Sequence, residues 1–309
     1  MLNKKIRILN FDGSVIKQEK LTSKYDSKII DLTELGPRVR YWIDPGQRAL
    51  IERRIDFSDK NSVTFMGSGD FHHISEILIS RFDEPISLID FDFHPDWDMS
   101  ALRVNCGTWI NEVLKRKNIL KAALIGVSSN DISNLNIQTA NLSSLKDSRV
   151  EIYPYEHSPT TVFFRKVPAN ASIRTEKNVF SSKICWIELK NKELSVFLKD
   201  LLNRMPTKKV YITIDKDCLK NEHALTNWEE GKFSLEELLS MLKAINENKD
   251  IAGLDIVGDY SKVAIKSMVK RASSYLDHPR NIKALALDES LITSVNEHTN
   301  LKILEALDI

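Results

Sequence analysis

The chain has 309 residues, 42% of them hydrophobic and 28% charged, with 44 Lys and Arg against 43 Asp and Glu for a net charge of +1. This is the composition of a globular protein with one large domain or two modest ones, and its charge balance argues against nucleic acid or an anionic membrane as partner. Three scattered cysteines, Cys106, Cys185 and Cys218, form no CxxC pair and exclude a disulfide framework, while the lack of any apolar run near ~20 residues predicts a cytoplasmic protein without a membrane span.

Residues 1–50 read as a small strand-rich lead-in, with a strand over Ile6–Leu9 and a turn at Asp44-Pro45-Gly46. A strand over Val63–Met66 runs into a glycine turn, after which Ile74, Ile77 and Leu78 share one helix face. A strand follows at Ile86–Phe91, then a helix carrying Ile110, Val113 and Leu114, then strands at Ala122–Val127 and Val150–Tyr153. The polar, poorly periodic stretch 155–182 reads as a long surface loop. Leu194, Phe197, Leu198, Leu201 and Leu202 recur at helical spacing before a strand at Val210–Ile214. Ser234 and Glu237 form a capping box that opens a helix over Leu235–Ile245. A strand at Ile251–Ile256 and a helical tail from Asn281 to Leu307 complete the chain. Several strands are apolar at nearly every position, as in a parallel sheet covered on both faces. Their alternation with helices predicts a single doubly wound α/β domain over 1–309.

Three clusters at strand ends carry the chemistry. Asp92-Phe93-His94-Pro95-Asp96 offers two carboxylates and an imidazole at alternate positions, which in extended backbone point to one side. Asp215-Lys216-Asp217 ends a second apolar strand, and Gly67-Ser68-Gly69-Asp70-Phe71-His72-His73 follows a third. Strand ends in an open α/β sheet are where ligands bind. Carboxylates and imidazoles suit divalent Mn, Fe, Co or Zn, and so many acids at one place need a cation to be buried together. Two ions ~3.5–4 Å apart would activate a shared water. His157, His223 and His298 read as surface or capping residues, and Trp97 and Trp228 as aromatics near strand ends.

The order of these motifs, closed by Gly253-Leu254-Asp255-Ile256-Val257, resembles the ureohydrolase superfamily of arginases, agmatinases and formiminoglutamases, from about Val63 to Val257. The Asp-Phe-His-Pro-Asp-Trp variant and Asp277-His278-Pro279 resemble a divergent branch that includes the peptide arginases, which turn arginine in ribosomally made peptides into ornithine. The resemblance implies an arginase-like three-layer α/β/α fold with a mostly parallel sheet, and two divalent ions, Mn²⁺ by preference. It implies that Asp92 and Asp215 bridge both ions, that Asp96 and either His72 or His73 complete the first site, and that His94 and Asp217 complete the second. Asp217 is also the expected proton donor to the leaving amine. The implied partner is an arginine-containing peptide or another guanidino substrate, and a homo-oligomer is compatible with it.

Three departures shape the substrate expectation. Asn105-Cys106-Gly107 stands where arginases have a proton-shuttling His-Gly, which makes Cys106 a candidate proton carrier, with simple packing as the alternative. Gly258-Asp259 stands where a glutamate grips the guanidinium, so Asp259 is either that carboxylate or a turn residue. Asp98 replaces an amide that helps to bind a free α-carboxylate, which favours a substrate without one. Thr226, in the loop after the second aspartate pair, is a further candidate for substrate contact.

Overall fold

The computed structural model describes residues 5–57, 61–99, 103–277 and 288–309. Eight strands form one sheet: β1 Ile6–Asn10, β2 Ser27–Asp31, β3 Val63–Phe65, β4 Ile86–Phe91, β5 Ile119–Ile125, β6 Val150–Tyr153, β7 Lys209–Asp215 and β8 Asp250–Val257. They lie in the order β2-β1-β3-β8-β7-β4-β5-β6, and every neighbouring pair is parallel. The lead-in is therefore an integral edge of the sheet. Its second strand escapes the apolar pattern because β2 is an edge with three of its five residues exposed.

Alternation along the central strands builds a core on each face. Leu88 and Leu124 pack with Ile77, Ile110 and Val113 on one side. Ile89, Phe91 and Ile212 pack with Leu198, Leu238 and Leu304 on the other. Fully burying such a side chain contributes about 1.5–3 kcal/mol, so two apolar faces fix the strand register and the layered α/β/α order. The helix Leu235–Asn248 begins at the expected capping box. At Asp44-Pro45-Gly46 a helix starts rather than a turn: Asp44 caps it reciprocally with Gln47, and Pro45 sits where a missing N–H costs nothing. The stretch 155–182 is not structureless, since Thr160–Phe163, Ile173–Lys177 and Ser181–Trp186 make a three-stranded antiparallel sheet. The last helix spans Glu289–Ala306, and His278 falls outside the described residues. Among the described residues no helix is long and apolar enough to cross a membrane.

Four adjacent strands, β3, β8, β7 and β4, present their carboxyl ends side by side. Across the middle of this set, Thr213 of β7 pairs in register with Asp255 of β8 and Asp90 of β4.

Candidate metal centre

The Asp92–Asp96 segment converges by a bend, not by extended alternation. Strand β4 stops at Phe91, and Asp96 adopts a left-handed backbone with φ 45°. Asp is among the few residues that tolerate this region. The turn is held by Asp92 Oδ1, which accepts from His94 N at 2.7 Å, and by Asp217 Oδ1, which accepts from Phe93 N at 3.1 Å. Asp96 Oδ2 in turn accepts from Trp109 Nε1 at 2.6 Å. On the other strand Asp215 Oδ1 accepts from Asp217 N at 3.1 Å.

His72 enters from the 3-10 helix Gly69–Ile74 behind β3. Its Nδ1 lies 3.0 Å from Asp92 Oδ2, 3.2 Å from Asp96 Oδ2 and 3.9 Å from Asp215 Oδ2. His94 Nδ1 lies 3.0 Å from Asp217 Oδ2 and 3.6 Å from Asp92 Oδ1. Asp92 thus faces both imidazoles, and Asp92, His94 and Asp217 bring one donor atom each close enough to share an ion. His72 and Asp92 do the same with Asp90. The four carboxylates Asp92, Asp96, Asp215 and Asp217 are all buried.

The residues behind His72 decide which nitrogen is offered. Thr213 Oγ1 donates its one proton to Asp255 Oδ1 at 2.6 Å, so it accepts from His72 Nε2–H at 2.9 Å. Asp255 also receives Tyr211 Oη at 2.7 Å and Ser75 Oγ at 2.9 Å, which satisfies it as a carboxylate. Nδ1 is left against three acids, and it can stay there only with a positive charge between, either a proton or a metal ion. This is the outer hydrogen bonding that orients metal-binding histidines.

The electrostatics agree. Burial and the Asp92 carboxylate push Asp215 up to about 7 and Asp96 up to about 6. Burial, with Asp215 and Asp92, raises Asp217 well above the carboxylate range. Burial alone would lower His72, but Asp92 and Asp96 override it and hold the ring well above its usual value. Asp90, two residues before Asp92, is fully buried, has no hydrogen-bond partner for either oxygen, and is raised chiefly by burial. Four crowded carboxylates with two imidazoles call for about four positive charges, which two divalent ions provide. The donor set fits divalent cations: Asp92, His94 and Asp217 bring their donor atoms together, and His72 meets Asp92 and Asp96 with Asp215 close by.

Several expected residues stand elsewhere. His73 takes no part in the cluster; its ring is buried and pushed down to about 3, first by burial and then by Lys270, so His72 is the histidine that faces the acids. Asp259 does not line the cavity over the centre. Its Oδ1 accepts from Lys216 Nζ at 2.8 Å and Gln18 Nε2 at 2.7 Å, because the wholly buried Lys216 ammonium requires a counter-charge. Thr226 is occupied in a turn, accepting from Trp228 N at 3.1 Å, and is absent from the cavity wall. Asp98 borders a neighbouring hollow with Asp131 rather than the main cavity. Cys106 does line the main cavity and is half-buried.

That cavity has a volume of about 510 Å³ and opens over His72, Asp92, His94 and Asp96. Its walls include Tyr41, Trp42, Phe93, Trp228, Asp131 and Glu229. Sequence reasoning singled out neither Glu229 nor the Thr213–Asp255 relay. The relay had a signal, since Thr213 sits one strand alternation before Asp215 and Asp255 lies within the Gly253–Val257 motif, whereas Trp109 had none.

No protein-family model matches the chain. An uncharacterized protein of Thermotoga maritima is 27% identical over 259 residues, covering 84% of this chain and 81% of that one. Among solved structures, an arginase from Bacillus subtilis superposes with a TM-score of 0.58 at 11% identity, over 99% of this chain and 98% of that one. Proclavaminate amidino hydrolase from Streptomyces clavuligerus gives 0.55 at 11% identity, over 99% and 94%. A Trypanosoma cruzi formiminoglutamase variant with Mn²⁺ gives 0.53 at 11% identity, over 99% and 93%. The fold is that of the ureohydrolases.

Proposed function

We propose that this chain is a member of the ureohydrolase superfamily, a binuclear-metal hydrolase that cleaves the guanidinium C–N bond of peptidyl arginine and leaves ornithine and urea. The observation that carries the reading is the convergence of His72, Asp92, His94, Asp96, Asp215 and Asp217 at the strand ends of a ureohydrolase fold. Divalent ions held there, Mn²⁺ by preference, would supply a strongly acidified water at neutral pH and stabilise developing negative charge.

The chain's own residues do the rest. Asp92 faces both histidines, Asp215 lies 3.9 Å from His72, and the Thr213–Asp255 relay keeps His72 Nδ1 aimed inward. Phe93 and Trp228 supply aromatic surface on the cavity wall suited to a planar cation. Asp217, on the cavity wall, returns a proton to the leaving amine, with Cys106 as a second proton-bearing group there. Among the described residues, none of those lining the cavity is Lys or Arg. That supports a substrate without a free carboxylate. Agmatine shares this property, so a small guanidino amine is the second reading.

The test is mass spectrometry of an arginine-containing peptide incubated with the Mn²⁺-loaded protein, beside free arginine and agmatine. The expected result is loss of CH₂N₂ from each modified arginine, with urea released, and no turnover by Asp92→Asn. An unchanged peptide with active hydrolysis of agmatine would favour the small amine. Release of acetate or formamide in place of urea would overturn guanidinium hydrolysis.

A further inference from the structure

A guanidinium lying over the centre presents N–H donors that need acceptors, and the departure of Asp259 from the cavity leaves that role to another group. Two acids outside the ligand set remain on the wall, Asp131 and Glu229. Asp131 Oδ2 is engaged by Ser129 Oγ at 2.8 Å, and the residue borders two hollows. Glu229 stands closer to the chemistry. Its Oε2 lies 3.3 Å from Nε2 of His94, whose opposite nitrogen faces Asp217 and Asp92. One imidazole width therefore separates Glu229 from the ligand cluster, while its side chain keeps 43% of its surface exposed.

The surroundings suit a flat cation. Phe93 and Trp228 both meet His94 edge-on, at 5.1 and 5.3 Å between ring centres. Tyr41 in turn packs edge-on against Trp228 at 6.0 Å. Trp228 is fixed by its Nε1–H, donated to Asp70 Oδ1 at 3.0 Å, and the buried Arg40 holds Asp70 from behind. The turn that carries Trp228 and Glu229 is tied by Thr226 Oγ1. A carboxylate on a wall shared with aromatic rings recognises a guanidinium by hydrogen bonds and by stacking.

We propose that Glu229 is the substrate-binding carboxylate of this site, gripping the guanidinium while its inner oxygen faces the His94 ring. The proposal rests on the reading of a guanidino substrate. It is tested with the full-length Mn²⁺-loaded protein as wild type, E229Q and E229D. Guanidinium chloride is titrated calorimetrically, KM and kcat are measured for an arginyl peptide, and the bound metal is counted.

E229Q should keep the wild-type metal content, weaken guanidinium binding and raise KM by about 10- to 100-fold, with E229D recovering part of the loss. Unchanged guanidinium affinity and KM in E229Q would overturn the proposal. Loss of metal from E229Q would also overturn it, because Glu229 would then act only by steadying His94. If the wild type releases no urea from any guanidino substrate, the functional reading fails on its own. The calorimetric titration still decides whether Glu229 holds a guanidinium.

Discussion

At the scale of single residues, the site turns on the direction of one nitrogen. Thr213 fixes His72 with Nε2–H outward and Nδ1 toward the acids. Thr213→Val removes the acceptor while preserving shape, and should weaken metal affinity about 10- to 100-fold, read by competition with a chromophoric chelator. Unaltered affinity would mean that His72 needs no outer partner. His73 gives the opposite prediction. Its folded state resists protonation down to about 3 against an ordinary 6.5, so between those values the unfolded chain binds more protons and stability falls as the pH falls. The slope approaches about 1.4 kcal/mol per pH unit inside that window. Urea melts in chelator at pH 6.5 and 4.5 should show His73→Leu losing less stability than wild type. Equal losses would remove His73 as a source of acid sensitivity. The sequence offered the two histidines as equals because adjacent residues in a 3-10 turn differ only in which way the turn faces, and that is set by contacts far along the chain.

At the scale of elements, the six acids and histidines of the cluster were legible because each follows an apolar strand and strand ends collect ligands. Their convergence was legible for the wrong local reason: the Asp92–Asp96 segment bends at the left-handed Asp96, a feature that no spacing rule exposes. The sequence left Asp259 as either the guanidinium carboxylate or a turn residue, and the structure pairs it with Lys216, whose burial only the structure shows. The turn after β8 carries a related constraint. Gly258 has φ +92°, and a Cβ there would lie 2.5 Å from Asp215 Oδ1 and 2.6 Å from Lys216 N. Gly258→Ala should cost about 1–3 kcal/mol in a denaturant melt and displace Asp215, so that metal binding weakens as well. Stability and metal affinity both at wild-type levels would show that the turn yields freely. The helix Met268–Asp277 is stapled to the cavity wall by Lys270, whose Nζ donates to the carbonyls of Arg38, Arg40 and Trp42 at 2.6–2.8 Å. Lys270→Met should destabilise by about 2 kcal/mol or more, since three carbonyls lose a charged donor.

At the scale of the whole molecule, a sheet apolar on both faces brings four strand ends together, and the acids gathered there are a cost to folding until a cation joins them. The layered α/β order was readable from strand and helix patterns. The antiparallel sheet over 160–186 was not, because its strands are short, mostly polar and half-exposed. Metal and stability are therefore linked. At a free concentration about 100 times its Kd, each bound ion adds about 2.7 kcal/mol, so Mn²⁺ should raise the melting temperature of wild type over that in chelator and leave Asp92→Asn far less changed. The most direct measurement is the number of metal ions per chain, counted by inductively coupled plasma mass spectrometry after loading with Mn²⁺ and removal of excess. The account predicts two ions per wild-type chain, with Asp92→Asn losing both or retaining one weakly. A wild-type chain that holds none, or whose content is the same in Asp92→Asn, contradicts it.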